Sequence, residues 1–155
     1  MPVASSKAAQ FALPGRREWR SSPGRILGLK EMSLPSLIQL LDRGFPWSTI
    51  PAFARVSGFT QQELAGLLGV PARTYARRRL SGALDPSESE RLLRFAEVYD
   101  AALHLFIGDR EAARQWLISP VRGLNNARPI DYARTELGAR EVRNLIGRLE
   151  DGIFT

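Results

Sequence analysis

The stretch Thr60–Leu80, TQQELAGLLGVPARTYARRRL, decides how the chain is read. Thr60 is of the type that caps a helix by accepting from a backbone N–H, and Glu63 three residues on has the spacing of a capping box. Leu64, Ala65 and Leu68 share one face at helical period. Gly69 stops that helix, because a left-handed residue costs glycine almost nothing. Val70 turns inward, and Pro71 opens a second helix with its φ already set. The small residue at 65 lets two helices cross closely, and Gly69 lets the chain reverse within a few residues. Together these features predict a helix-turn-helix that presents its second helix to the DNA major groove. That second helix carries Arg73, Arg77, Arg78 and Arg79.

Charge outside the stretch agrees with it. Residues 1–80 hold 12 basic and 4 acidic side chains, a balance of +8, whereas 81–155 hold 10 and 12, a balance of −2. A field confined to one half is what a chain shows when that half meets a polyanion and the other meets protein. A general preference for Arg over Lys explains the residue type but not the split.

Composition excludes several classes. The 155 residues contain no cysteine and a single histidine, His104. Disulfides, thiol catalysis and cysteine-ligated metals are thereby ruled out, and little remains for a metal site or a Ser–His pair. Glu88 and Glu90 sit at a helix start, where the dipole favours carboxylates, and no nucleophile–base cluster accompanies them. We therefore expect no enzyme, no cofactor and no metal. No apolar run is long enough to span a membrane, and the N-terminus lacks an apolar signal core, so a cytoplasmic protein is expected.

Outward from the helix-turn-helix the pattern stays helical, and the expected fold class is all-α. Residues 1–24 hold Arg16, Arg17 and Arg20 among serines and prolines without apolar period. They read as a flexible basic arm, either touching phosphates or merely a tail. Pro35–Leu41 reads as a short helix with Leu34, Leu37, Ile38 and Leu41 inward. Trp47–Val56 reads as the supporting helix of the DNA-binding unit, with Ile50, Phe53 and Ala54 inward. Asp85, Pro86 and Glu88 start a long helix over about 86–107. Leu92, Ala96, Tyr99, Leu103 and Phe106 form one stripe on it, widened by Leu93, Val98, Ala102 and Leu105. A helix so broadly apolar is central to a core, shared with a second subunit, or both. Helices over 110–119 and 137–149 follow, separated by the turn-rich VRGLNNARP with Leu124 plugging inward. The domains read as an arm at 1–24, a helix-turn-helix domain at 25–84 and a helical dimerisation domain at 85–155.

Residue roles follow from the recognition geometry. Arg73 and Arg77 lie one turn apart with Thr74 beside them, and these three are expected to read base edges; an arginine fork fits guanine O6 and N7. Gln61 and Gln62 begin the preceding helix, where exposed N–H groups favour phosphate. Arg78, Arg79 and Arg55 are assigned to the DNA backbone, and Tyr75 to inward packing. One copy reads a half-site, so a homodimer on an inverted repeat of operator DNA is expected.

Over residues 45–155 the chain resembles the Xre/MbcA/ParS-type antitoxins. The carrying residues are RTYARRRLSGALDPSESERLLRFAEVYDAALHLF (73–106) and AARQWLISPVRGLNNARPIDYARTELGAREVRNLIGRLEDGIF (112–154). Within them stand the Trp116, Pro120, Leu124, Pro129 spacing, the T-x-x-G-x-x-x-V of Thr135, Gly138 and Val142, and the closing Glu150-Asp151-Gly152. The resemblance implies an antitoxin that dimerises, represses its own promoter, and binds and blocks a RES-domain toxin that consumes NAD. It makes 85–155 a toxin-binding domain as well. Ile153 and Phe154, a terminal apolar hook, would then enter the toxin, with Arg148, Glu150 and Asp151 at its active-site mouth; alternatively the hook folds back on its own core. A stand-alone regulator whose C-terminal half only dimerises or senses a ligand, and an antitoxin that no longer binds DNA, are the competing expectations.

Overall fold

A computed structural model describes residues 23–152 of the chain. Its elements are a 3-10 turn at Pro23–Arg25, α1 (Leu34–Arg43), α2 (Thr49–Ser57), α3 (Gln61–Leu68), α4 (Ala72–Ser81), α5 (Pro86–Leu105), α6 (Arg110–Leu117), a 3-10 turn at Arg122–Leu124, α7 (Pro129–Tyr132) and α8 (Glu136–Glu150). No strand occurs among the described residues, and two isolated bridges, Pro46 with Ala83 and Val121 with Ala127, are the only β pairing there. The fold is all-α, as the sequence implied. The basic arm lies outside the described residues except for its last two, Pro23 and Gly24, which enter the first turn.

Capping residues set the helix starts. Ser33, Thr60, Asp85, Asp109 and Thr135 each accept from the backbone N–H three residues on. Each such cap satisfies one of the donors that a helix leaves unpaired. At Asp85 the cap is reciprocal, since the Glu88 carboxylate accepts from the Asp85 N–H at 2.9 Å. At Thr60 it is one-sided: Thr60 Oγ1 accepts from Glu63 N–H, but the Glu63 carboxylate faces Arg114 of α6 at 3.7 Å. The capping box expected at Thr60 is therefore not formed, because a cation from a distant helix draws its acid away.

Helix α5 is the axis of the core. α6 and α8 pack on it, as do α1, α3 and the first 3-10 turn, while α2 packs on α3 and α6. Phe53 meets Phe59 and Tyr99 edge-on, at 6.5 and 5.8 Å between ring centres. The Tyr99 hydroxyl donates to the Val56 carbonyl, and burial pushes its pKa up to about 12. Ile26 and Leu27, just after the first turn, are buried in the same cluster. α1 turns a different face inward from the one its spacing predicts. Leu37, Leu40 and Leu41 are the half-buried positions, while Leu34 and Ile38 point outward at 69% and 49% exposure. α1 makes its main contact with α5, so a small rotation moves its contact stripe by one residue.

The T-x-x-G-x-x-x-V motif has a structural explanation. Thr135 caps α8 by accepting from Gly138 N–H at 3.0 Å. A Cβ at Gly138 would overlap the Tyr132 carbonyl oxygen, so only glycine lets α8 start directly against α7. Val142, one turn further, is fully buried in the core.

Candidate nucleic-acid interface and the C-terminal face

Helix α4 is held by its edges and contributes no buried residue. Two inward-pointing side chains anchor it. Tyr75 packs edge-on against Trp47 at 4.7 Å and donates its hydroxyl to Gln61 Oε1 at 2.9 Å. Arg78 donates from Nε to Glu88 Oε1 at 2.7 Å and from Nη2 to Asp85 Oδ2 at 3.2 Å. At the far end, Gly82 accepts from Trp47 N–H at 2.8 Å, and the Leu84 N–H donates to Phe45. On the other side Gly69 makes the turn at φ +68°, and Arg91 donates to the Leu68 carbonyl at 2.7 Å, fastening the end of α3 to α5.

With 3.6 residues per turn, Tyr75 and Arg78 lie opposite Arg73 and Arg77. Arg73, Ala76, Arg77, Arg79 and Leu80 are exposed, and Arg73, Arg77 and Arg79 form no hydrogen bond or ion pair with any described residue. Thr74 is half-buried at the rim, and Gln62 is exposed on α3. No side chain caps the start of α4, because Pro71 occupies the cap position, so its first N–H groups stay open. Open N–H groups, a helix dipole and unpaired guanidinium groups together favour an anion.

The sequence placed Arg78 with the DNA backbone. Here its guanidinium is committed to Glu88 and Asp85 inside the protein, and Arg78 seats the helix. Its partners respond: burial opposes ionisation of Asp85, but the Glu88 backbone N–H, the Ser87 hydroxyl and Arg78 together hold that carboxyl below its ordinary range. Hydrogen bonding to Glu88 raises the Arg78 pKa. Gln61 also differs from a free phosphate ligand, since its amide oxygen accepts from the Tyr75 hydroxyl. Spacing alone could not find Arg78–Glu88, but the first-turn acid beside an arginine helix was its signal.

The C-terminal face is built differently. Glu150 Oε1 lies 2.7 Å from His104 Nδ1 and the Glu150 side chain is largely buried, which ties the end of α8 to α5. Arg148 is half-buried, and its Nε is enclosed without a hydrogen-bond partner. Asp151 is exposed and its N–H donates to Gly147 at the end of α8. Arg148, Glu150 and Asp151 thus gather at one end of α8, while Ile153 and Phe154 lie outside the described residues. A cleft of about 290 Å3 separates α3 from α6 and α7, lined by Phe59, Leu67, Ile118 and Ile130 beside Arg114 and Arg128. Arg128 holds Asp131 through two bonds, while Arg114 faces Glu63 and Glu111 at 3.7 and 3.9 Å and its buried Nε has no hydrogen-bond partner. No group of His, Asp or Glu among the described residues is arranged to hold a metal ion.

Two family models together cover most of the described chain. Residues 36–97 match the antitoxin Xre-like helix-turn-helix domain, and residues 101–152 match the antitoxin Xre/MbcA/ParS C-terminal toxin-binding domain. Over 132 residues the chain is 38% identical to the antitoxin Xre of Yersinia enterocolitica serotype O:8 / biotype 1B, covering 81% of this chain and 89% of that one. It is also 38% identical over 132 residues to the antitoxin Xre of Photorhabdus laumondii subsp. laumondii, covering 84% and 89%. The chain belongs to the Xre antitoxin family. It is a toxin–antitoxin protein with a DNA-binding helix-turn-helix and a toxin-binding domain. The two matched Xre segments meet at residues 98–100, inside α5, so one continuous helix serves both halves. No helix among the described residues is long and apolar enough to cross a membrane.

Proposed function

We propose that this antitoxin neutralises a RES-domain, NAD-consuming toxin by covering its active-site entrance, and that as a homodimer it represses its own promoter. The observation that carries the DNA half is the outward face of α4, where Arg73 and Arg77 have no internal partner while Tyr75 and Arg78 fasten the opposite face. Arg73, Arg77 and the rim residue Thr74 read bases in this account. The Gln61 NH2, Gln62 and the open N–H groups of α3 and α4 hold phosphates. Arg79 and Arg55 add charge along the backbone, and Arg78 acts by positioning.

For the toxin half, the support is the match of residues 101–152 to a toxin-binding domain and the anchoring of the end of α8 by Glu150 on His104. Glu150 then orients the terminus instead of reaching the toxin itself. Arg148, with its enclosed Nε, and the exposed Asp151 contact the toxin, and Ile153 and Phe154 insert into its entrance. A chain ending at Gly152 tests this, because it keeps the His104–Glu150 bond. Co-expressed with a RES-domain toxin, the shortened chain should keep promoter binding and fail to rescue growth. Full rescue would reject the tail as the blocking element. Inhibition of NAD consumption by the purified pair tests the RES assignment separately.

A further inference from the structure

Among the exposed large apolar side chains that the structure describes, Leu80 stands out at 90% exposure. It follows Arg73 by seven residues and Arg77 by three, so on a helix of 3.6 residues per turn the three point within about 60° of one another. Leu80 therefore shares the outward face of α4 with the two arginines that have no partner, in the last turn of the helix. Its surroundings do not suit a protein contact. Arg73, Arg77 and Arg79 crowd this helix, and the nearest acids in sequence, Asp85 and Glu88, are occupied by Arg78. Any partner on this face has to be anionic and still offer a small apolar target. The DNA major groove does, because thymine displays a 5-methyl group there and no other base does.

We infer that Leu80 is a specificity-determining residue that packs on a thymine 5-methyl group in the operator. This rests on the DNA-binding half of the proposed function. Arg73 and Arg77 then read guanines nearer the start of the helix, and Leu80 reads a thymine about two turns further along. The half-site is accordingly mixed, not purely G·C. Ala76, between them on the same face, leaves room for the groove floor.

The test is a four-way binding comparison with full-length protein and its own promoter fragment. Wild type and Leu80→Ala are each titrated against the natural duplex and against duplexes with single thymines replaced by uracil, which removes only the methyl. At one position per half-site wild type should bind the uracil duplex about fourfold more weakly, the weight of one methyl-sized group. Leu80→Ala should bind the natural duplex more weakly and be indifferent to that replacement. Its folding should be unaltered, because the side chain touches little, and a thermal melt checks this. Persistence of the full thymine preference in Leu80→Ala overturns the inference, as does a fall in its sedimenting mass, which would place Leu80 in a protein contact. If wild type binds neither duplex at low salt, operator binding itself fails and takes this inference with it.

Discussion

Arg78 Nε lies 2.7 Å from Oε1 of Glu88, and this bond couples the recognition helix to the first turn of the helix that runs through both halves. Glu88 accepts from two directions, since the same Oε1 holds the Asp85 N–H. Removing it should loosen α4 and uncap α5 together. Glu88→Ala is expected to lower unfolding free energy by about 2 kcal/mol, the cost of losing a charged hydrogen bond and a cap contact. Urea denaturation gives the number, and a change below about 0.5 kcal/mol would mean that the pair adds nothing.

Gly138→Ala should be among the most damaging single substitutions in the chain. The added methyl has to displace the Tyr132 backbone, so α8 moves off α7 and the core around Val142 and Ile146 opens. A loss of about 3 kcal/mol is expected. An alanine variant melting within a degree or two of wild type would contradict the close approach of these helices.

Acid stability carries a signature at Asp131. Its two bonds from Arg128 hold the carboxyl below the ordinary range, against a smaller opposing effect of burial, with Arg134 helping. A depressed folded-state pKa means stability that is present above the unfolded value, about 3.9, and lost as pH falls through the folded one. Asp85 acts in the same direction. Glu97 acts oppositely, because burial raises its pKa despite Arg143, so its protonation favours the folded state. The difference between Asp131→Asn and wild type isolates the effect: below about pH 4 the variant should lose less stability on acidification than wild type. Parallel curves would remove the Arg128–Asp131 pair from the account.

Gln61 and Tyr75 should act as a unit. Tyr75→Phe keeps the packing on Trp47 but releases the Gln61 amide, so promoter affinity should drop a few-fold with little change in melting temperature. In Gln61→Ala the same tyrosine substitution should have no further effect. Additive losses in the double variant would show that the hydroxyl does not orient Gln61.

Much of this architecture was legible from local chemistry. Caps at Thr60 and Asp85 act within one turn, so their residue types locate helix starts without knowledge of the fold, whereas the cap at Thr135 emerged only with the close approach of α7 to α8. The inward role of Tyr75 follows from its place in the helix-turn-helix, and the plug at Leu124 from a lone large apolar residue in a polar loop. Long-range partners did not. The diversion of Glu63 to Arg114, the bond of His104 to Glu150 and the burial of Ile26 and Leu27 depend on segments that meet only after folding. The internal pairing of Arg78 is hidden for the same reason: four arginines in one helix look alike in sequence, and only the position of Glu88 separates the one that faces inward. The face of α1 was ambiguous because Leu34, Leu37, Ile38, Leu40 and Leu41 offer two overlapping stripes, and packing on α5 selects one.

Arg77→Ala should separate DNA binding from toxin neutralisation. Arg77 is exposed and unpartnered, so the substitution should leave the fold and growth rescue against the toxin intact. It should weaken promoter binding in a gel shift by roughly 5- to 150-fold, the range of one bidentate base contact. Promoter affinity equal to wild type, or loss of toxin neutralisation alongside DNA binding, would contradict the division between α4 and the C-terminal face.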